Sequence, residues 1–375
     1  MTLNSKTIGL LLLLLSFAIV DASAQGPWGK TAAVVYMDKR GKIKKEASVQ
    51  VQDHAAAGLS FTKSGKLTLV SNDSVISIKF NSEHEGWTGA LDLVKGSFYA
   101  DALDAFALLL GDERGLRRSP WVRQEALYQI WVCHRLMGRL SEAQVAAANL
   151  RAAAPEGRYI PELDLAAANN LLAQGKKAKA ASAFRKIQQF ASKGRFAESI
   201  GVRSLSGLFE LAIQSNDTAA AKKVADEISR ASNSTEGALI ARILSGRVLV
   251  VEKKYSNALS LFATVLKDAK RKQESVIAGA ANGLGDCYFA MGKFADAQRE
   301  YSKTASLFYD KPALQEQTGW AVWQWAVACK RVANSTEDEA SRKLNTSRYK
   351  KLRRRAANDF PFTRGGRLAA REMGR

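Results

Sequence analysis

The stretch "NGLGDCYFAMGKFADAQREYS" (282–302) decides the fold of this chain. Tyr288 lies four residues before Gly292, and Ala297 and Tyr301, which are themselves four residues apart, follow it. This spacing predicts two amphipathic helices joined by a turn at the glycine. The Gly-Leu-Gly-Asp of the stretch then lies inside a helix, whereas a phosphate-binding loop requires a strand-to-helix turn. The stretch is therefore predicted to be a packing unit and not a nucleotide site.

The same helix-turn-helix pattern recurs along the chain. Six alanines occupy the position of Ala297, with separations of 37 to 41 residues. A steady period in this range indicates a helical solenoid. The alanines are Ala102, Ala143, Ala180, Ala221, Ala258 and Ala297. The turn position holds Gly138, Gly175 and Gly292 in three units, and the fourth and fifth units are predicted to have Asn216 and Glu252 there.

Each unit resembles the tetratricopeptide repeat (TPR), in which two antiparallel helices meet at a glycine and an alanine and aromatic residues fill the gaps. The resemblance implies a mainly α fold, a TPR-like solenoid of about six to seven helix pairs over residues 86–375. It also implies a concave groove, lined by the first helix of each unit, that takes up a protein or peptide partner. The expected groove residues are Tyr128, Arg135, Asn169, Arg242, Asn282 and Asp286.

Residues 1–24 have the form of a secretory signal peptide. A single lysine precedes an apolar run at 8–20, and Ala22 and Ala24 predict cleavage before Gln25. The run is shorter than the ~20 residues of a membrane-spanning helix, so a cleaved peptide is favoured over an N-terminal anchor. The mature chain is therefore expected to be periplasmic or secreted, without a transmembrane segment.

Residues 25–82 alternate apolar and polar side chains, with β-branched residues and turn signals between the runs. This pattern predicts a small antiparallel sheet or barrel of four or five strands. It resembles the SH3-like modules that precede repeat arrays in some bacterial envelope proteins.

The C-terminal end is strongly basic. The chain has a formal net charge of +20, and residues 341–375 hold twelve lysines and arginines against two acids. Tyr349, Leu352, Ala356 and Phe360 form an apolar stripe at helical spacing, and residues 334–343 before it are predicted to be a loop. The cations expected to bind a polyanion are Lys350, Lys351, Arg353, Arg354 and Arg355. A cap that keeps the end of the solenoid soluble is the alternative, and it is slightly favoured because terminal repeats are polar in any case.

No motif for nucleophilic, metal-dependent or nucleotide-dependent chemistry occurs in the sequence, so no metal site, cofactor or small-molecule substrate is expected. Cys133 and Cys287 occupy the same position in two repeats and are predicted to be buried. A non-catalytic scaffold of the cell envelope that binds proteins in its groove is the leading hypothesis. A polyanion-binding protein, for nucleic acid, acidic polysaccharide or an anionic surface, is the alternative. An enzyme in the β-rich module is a third, but 58 residues without a polar constellation leave little room for a site.

Overall fold

The computed structural model describes residues 31–38, 40, 42–80, 86–118, 121–232, 234–311 and 314–374. The predicted signal peptide lies outside these residues. The chain divides into two compact units. The N-terminal unit contains the described residues up to Ile130 together with 146–157, and the C-terminal unit contains 131–145 and the described residues from Arg158 onward.

The N-terminal unit contains a five-stranded antiparallel sheet with strand order β4-β3-β2-β1-β5. Its strands are β1 (Thr31–Met37), β2 (Ile43–Ala55), β3 (Gly58–Lys63), β4 (Lys66–Val70) and β5 (Val75–Phe80). Alternation along the strands buries one face, where Val34, Val51, Leu59 and Phe61 pack together. The predicted antiparallel sheet of four or five strands is confirmed, and its SH3-like type remains a prediction.

The rest of the described chain is helical. The N-terminal unit contains α1 (Trp87–Lys95), α2 (Tyr99–Gly111) and α3 (Glu113–Arg118), and α4 (Trp121–Leu136) and α5 (Leu140–Ala153) have residues in both units. The C-terminal unit continues with α6 (Ile160–Ala173), α7 (Lys177–Ser192), α8 (Glu198–Gln214), α9 (Thr218–Ala231), α10 (Thr235–Val251), α11 (Tyr255–Asp268), α12 (Glu274–Ala290), α13 (Phe294–Leu307), α14 (Gln315–Ser335), α15 (Glu339–Asp359) and α16 (Arg364–Glu372).

Consecutive helices from α6 to α15 pack as pairs, with aromatic rings of the second helices set against glycines of the first helices. A Cβ atom on Gly285 would lie 2.6 Å from the ring of Tyr301, and one on Gly246 would lie 2.7 Å from the ring of Phe262. The six repeat alanines are all buried, between 0% and 5% exposed. Small residues on one helix and rings on the next are the TPR arrangement, so the predicted TPR-like solenoid preceded by a β domain is confirmed.

The turns between paired helices contain one residue in the left-handed region. Five residues before each repeat alanine, φ is +65° at Ser97, +76° at Gly138, +73° at Gly175, +55° at Asn216, +61° at Lys253 and +76° at Gly292. The prediction for Asn216 is therefore confirmed. The assignment of Glu252 to this position was wrong by one residue, because Glu252 has φ of −75° and the left-handed residue is its neighbour.

The C-terminal pair is longer than the sequence predicted. The segment 334–343 was expected to be a loop, but α14 ends at Ser335 and α15 begins at Glu339. The linker between α14 and α15 is three residues long, and its last residue, Asp338, is the N-cap of α15. The Asp338 carboxylate accepts a hydrogen bond from the Ser341 amide at 2.8 Å. The apolar stripe of α15 is confirmed, with Leu352 and Phe360 in the core. Helix α16 was not predicted from the sequence.

Candidate functional site

The predicted groove residues of α6 to α12 are not gathered at one place. Asn169 is exposed on α6. Arg242 on α10 forms an ion pair with Asp268 at 2.7 Å, which ties it to the second helix of its own pair. Asn282 is only 6% exposed, and its Nδ2 donates to the Gln317 carbonyl at 2.9 Å, so it joins α12 to α14.

The two predicted groove residues on α4 are both half-buried. Arg135 belongs to the C-terminal unit, where its guanidinium lies 4.6 Å from the ring centre of Trp131 and 5.4 Å from that of Phe362. Tyr128 belongs to the N-terminal unit. Of the predicted set, Asp286 takes part in a larger polar cluster.

That cluster links four first helices of the C-terminal unit with its last helix, and we call it the inner ring. Its members are Glu210 on α8, Arg247 on α10, Asp286 on α12, Trp320 on α14 and Arg364 on α16. The carboxylate of Glu210 pairs with the guanidinium of Arg247. The Trp320 indole N–H donates to Asp286 Oδ1 at 3.2 Å, and the guanidinium of Arg364 lies 4.4 Å from the Trp320 ring centre.

Arg364 closes the inner ring because its Nη1 lies 3.3 Å from Glu210 Oε2. Tyr301 supports the ring from α13, where its fully buried hydroxyl donates to Asp286 Oδ1 at 2.7 Å. The ring is not sealed, since 26% of the Glu210 side chain, 24% of the Arg247 side chain and 37% of the Arg364 side chain remain exposed. The inner ring is therefore half-buried, and solvent reaches part of each of these charged side chains.

Neighbouring charges decide the ionisation of the inner ring. Burial would raise the pKa of the Glu210 carboxyl, but the charge and hydrogen bond of Arg247 and the charge of Arg364 outweigh burial and lower that pKa. For Asp286, burial is the largest influence, and it raises the pKa despite Arg247 and the donors Tyr301 and Trp320. The pKa values of these two carboxyls are thus shifted in opposite directions.

Glu210 and Arg247 were not predicted as site residues. Their positions relative to the repeat alanines could have identified both. Asp286 lies eleven residues before its repeat alanine, Ala297. Eleven residues before Ala221 and Ala258 stand Glu210 and Arg247. Arg242, chosen instead of Arg247, lies five residues earlier, more than a helical turn away, and so points toward its own second helix.

The five cations of the predicted polyanion site on α15 fall into two groups. Lys350, Lys351 and Arg354 are exposed. The guanidinium of Arg353 lies 5.1 Å from the ring centre of Tyr349, and that of Arg355 lies 3.9 Å from that of Tyr309. The half-buried pair packs on aromatic rings, and the exposed three face solvent.

The cysteines of the described chain are free and buried, as predicted for Cys133 and Cys287. Burial raises the pKa of the Cys133 and Cys329 thiols to about 11, so both are protonated at neutral pH. Within the described ranges, no group of three or more His, Cys, Asp or Glu side chains is placed to hold a metal ion. Among the helices that the structure describes, none is both long and apolar enough to span a membrane.

No family model matches the sequence, and no curated protein matches it. Solved structures of TPR proteins are similar to it. A tetratricopeptide repeat protein from Parabacteroides merdae ATCC 43184 is 16% identical, with 72% of this chain and 97% of that chain covered and a TM-score of 0.39. The C-terminal part of a TPR repeat-containing protein from Cytophaga hutchinsonii is 14% identical, with 75% and 98% covered and a TM-score of 0.36. The fold is assigned from the helix pairs of this chain itself.

Proposed function

We propose that the protein is a non-catalytic scaffold that binds a partner protein through the inner ring of its C-terminal unit. The observation that carries the proposal is the exposure of charged side chains on successive first helices. Glu210 and Arg247 keep about a quarter of their surfaces open, although each is already paired within the chain. The part of each side chain that remains exposed is accessible to charged groups of a partner, and complementary charges across an interface give specificity and orientation.

The arrangement suits a polypeptide better than a small molecule. Three successive first helices each contribute one charged side chain to the inner ring. These side chains alternate between acidic and basic, as Glu210, Arg247 and Asp286. A row of side chains at repeat spacing matches an extended or helical segment that crosses several repeats. Alternating charge along such a row gives orientation and selectivity to binding more than it gives affinity.

A location outside the cytoplasm is part of the proposal. It is supported by the lysine, apolar run and small residues at positions 1–24. We expect the mature protein to begin at Gln25. Mass spectrometry of protein purified from the envelope or medium would measure this, and a chain that still begins at Met1 would indicate an anchor.

Site-specific photo-cross-linking tests the binding surface. Asn169 is exposed and stands eleven residues before Ala180, the position that Glu210 occupies in the next repeat. A photoreactive residue at Asn169 should cross-link a defined protein in an envelope extract. The control is the same probe at Lys223, an exposed position on the second helix α9. Cross-linking of the same proteins from both positions, or from neither, would contradict binding through the first helices.

Polyanion binding at α15 is a second candidate, supported by a separate observation. Arg342, Lys343 and Lys350 lie together on the exposed side of this helix. Replacing Lys350, Lys351 and Arg354 by Gln should reduce retention on heparin, and for a nucleic acid it should reduce the slope of log affinity against log salt by about 3. A wild-type chain that heparin does not retain at low salt would leave only the protein-binding function.

A further inference from the structure

A row of lysines lies along one edge of the C-terminal unit, where short turns join the two helices of each pair. The third, fifth and sixth units each have one or two lysines at this turn, and all of these lysines are exposed. They belong to the C-terminal unit, and we call them the turn edge. Its members are Lys176, Lys177, Lys253, Lys254 and Lys293.

Contacts between successive units place these turns side by side. Lys177 Nζ, at the start of α7, lies 3.2 Å from Ser215 Oγ in the fourth turn. Lys222 of α9 forms an ion pair at 2.5 Å with Glu252 in the fifth turn. The Cys287 thiol, near the end of α12, lies 3.6 Å from the first carbonyl of α11. The third to sixth turns therefore follow one another along the same edge, and their lysines form one row.

The acidic side chains in these turns are already engaged. The Asp217 carboxylate in the fourth turn accepts a backbone amide of α9 at 2.9 Å. Glu252 in the fifth turn forms ion pairs with two lysines, at 2.5 and 2.9 Å. Three lysines of the turn edge form no ion pair with any residue that the structure describes, and these are Lys176, Lys253 and Lys293. Their charges are available to a ligand outside the chain.

Local stability does not explain the lysines of the turn edge. Lys176, Lys254 and Lys293 are the N-cap residues of α7, α11 and α13, and none of them makes a side-chain capping bond. An ammonium group has no acceptor for that bond, whereas Asp217 caps α9 in the usual way. Lys253 has φ of +61°, in the left-handed region where three other units have glycine. The dipoles of the two helices that meet at each turn oppose one another, so they do not favour a cation there either.

The chemistry of the row fits the headgroups of an anionic lipid surface. All its members are lysines, which act as compact charges on flexible stems, and none is an arginine, which would pair with a single phosphate as a planar fork. The aromatic residues that follow the turns, Tyr255 and Phe294, are half-buried, so they do not offer the exposed stacking platform of a single-strand nucleic-acid site. A lysine near an anionic membrane surface increases binding about fivefold, and a row of lysines adds these contributions.

We propose that the turn edge is a binding surface for anionic lipid headgroups, through which the C-terminal unit attaches to a membrane surface. No lysine of the turn edge belongs to the inner ring, so this inference stands apart from the proposed binding of a partner protein. It also differs from the polyanion candidate on α15, which uses Lys350, Lys351 and Arg354. A protein with both activities holds its partner at a membrane surface.

Co-sedimentation of the full-length chain with lipid vesicles tests this inference. The probe is a vesicle of phosphatidylcholine with about 30% phosphatidylglycerol, to which the wild type should bind less as the salt concentration rises. Vesicles of phosphatidylcholine alone measure binding that does not depend on lipid charge, including any binding by the apolar run at 8–20. The turn-edge variant combines Lys176→Gln, Lys253→Gln and Lys293→Gln. It should bind the anionic vesicles at least about 25-fold more weakly, which requires only two contacting lysines at about fivefold each.

The matched control removes three exposed lysines from the opposite ends of the helix pairs, by Lys193→Gln in the loop between α7 and α8 and by Lys270→Gln and Lys272→Gln in the loop between α11 and α12. Net charge changes equally in both variants. Helices of this length separate the two ends by about 20 Å, beyond the screening length of about 10 Å, so the control should lose less than about threefold. All six side chains are exposed, and both variants should keep the circular dichroism spectrum of the wild type.

Three results would overturn the inference. The first is a wild type that binds anionic vesicles no better than neutral ones, even if heparin retains it. The second is a turn-edge variant that binds like the wild type. The third is an equal loss in the turn-edge variant and its control, which would mean that net charge alone attracts the lipid. The Asn169 cross-linking experiment does not depend on any of these results, so the two proposals fail separately.

Discussion

The substitution Gly285→Ala tests the packing that defines the repeats. Gly285 lies on α12, and an added Cβ would stand 2.6, 2.8 and 2.9 Å from three atoms of the Tyr301 ring. These distances are shorter than real Cβ contacts permit. Tyr301 is fully buried, and its hydroxyl is held by Asp286, so the ring has little room to retreat.

Two opposing effects determine the expected change in stability. Alanine is favoured over glycine inside a helix by about 1 kcal/mol. Overpacking a closed core by one methyl group costs about 1–3 kcal/mol. The net change at Gly285 should therefore lie between about zero and a 2 kcal/mol loss. At Gly279, six residues earlier on the same helix, the nearest atom is the flexible Ile243 Cδ1 at 3.3 Å, so Gly279→Ala should be neutral or stabilising by up to about 1 kcal/mol.

Urea denaturation followed by far-UV circular dichroism measures both variants, and a double-mutant cycle isolates the contact. In a Tyr301→Ala background, the ring is absent and Gly285→Ala should recover the helix-propensity gain, which gives a coupling energy of about 1–3 kcal/mol with Tyr301. A coupling energy near zero between Gly285→Ala and Tyr301→Ala would refute the glycine-ring packing.

Three other predictions concern the turns and the inner ring. Lys253→Gly should stabilise the chain by about 1 kcal/mol, because it relieves a side chain from the left-handed region, and Gly292→Ala should cost a similar amount, both measured by urea denaturation. Tyr301→Phe should cost about 1.5–3 kcal/mol in the same assay, because Asp286 loses a buried donor, and an unchanged midpoint would contradict that bond. Stability measured between about pH 7 and pH 2 should separate the two carboxyls, because the lowered pKa of Glu210 acts below the usual glutamate pKa and the raised pKa of Asp286 acts above the usual aspartate pKa. The lowered pKa of Glu210 means that the wild-type advantage over Glu210→Gln is present above the usual glutamate pKa and shrinks as the pH falls. The raised pKa of Asp286 means that the wild type loses stability relative to Asp286→Asn as the pH rises above the usual aspartate pKa, and pH trends of the same sign would contradict the assignment.

The repeat fold was predictable because its packing rules recur. A buried alanine needs a close helix, and this requirement returns in all six units; a ring four residues later is set against a glycine at Phe184, Phe262 and Tyr301. The prediction of the turn residue was wrong where it was not counted from the repeat alanine. Glu252 was taken as the turn residue because no glycine was present, yet counting five residues back from Ala258 gives Lys253.

The helix α16 was not predictable from periodicity. It spans only Arg364–Glu372 and begins with Arg-Gly-Gly, and two glycines lower helix propensity by about 1 kcal/mol each. Its stability comes from tertiary contacts, namely the close approach of Gly365 to α14 and the buried Thr363 cap. The basic end was interpreted from charge alone, which treated Arg364 as a solubilising residue instead of an anchor for the inner ring.

The inner ring shows why a repeat sequence reveals its fold more readily than its function. Residues that contact the neighbouring helix must be alike in every unit, and so they produce the period. The position eleven residues before the repeat alanines of the second to sixth units carries no such constraint, and it holds in turn Val132, Asn169, Glu210, Arg247 and Asp286. If the proposed function holds, we expect variation at that position to encode binding specificity. This position can be recognised only when the repeats are aligned without an error of even one residue, because a shift of one residue rotates the side chain by about 100° around the helix.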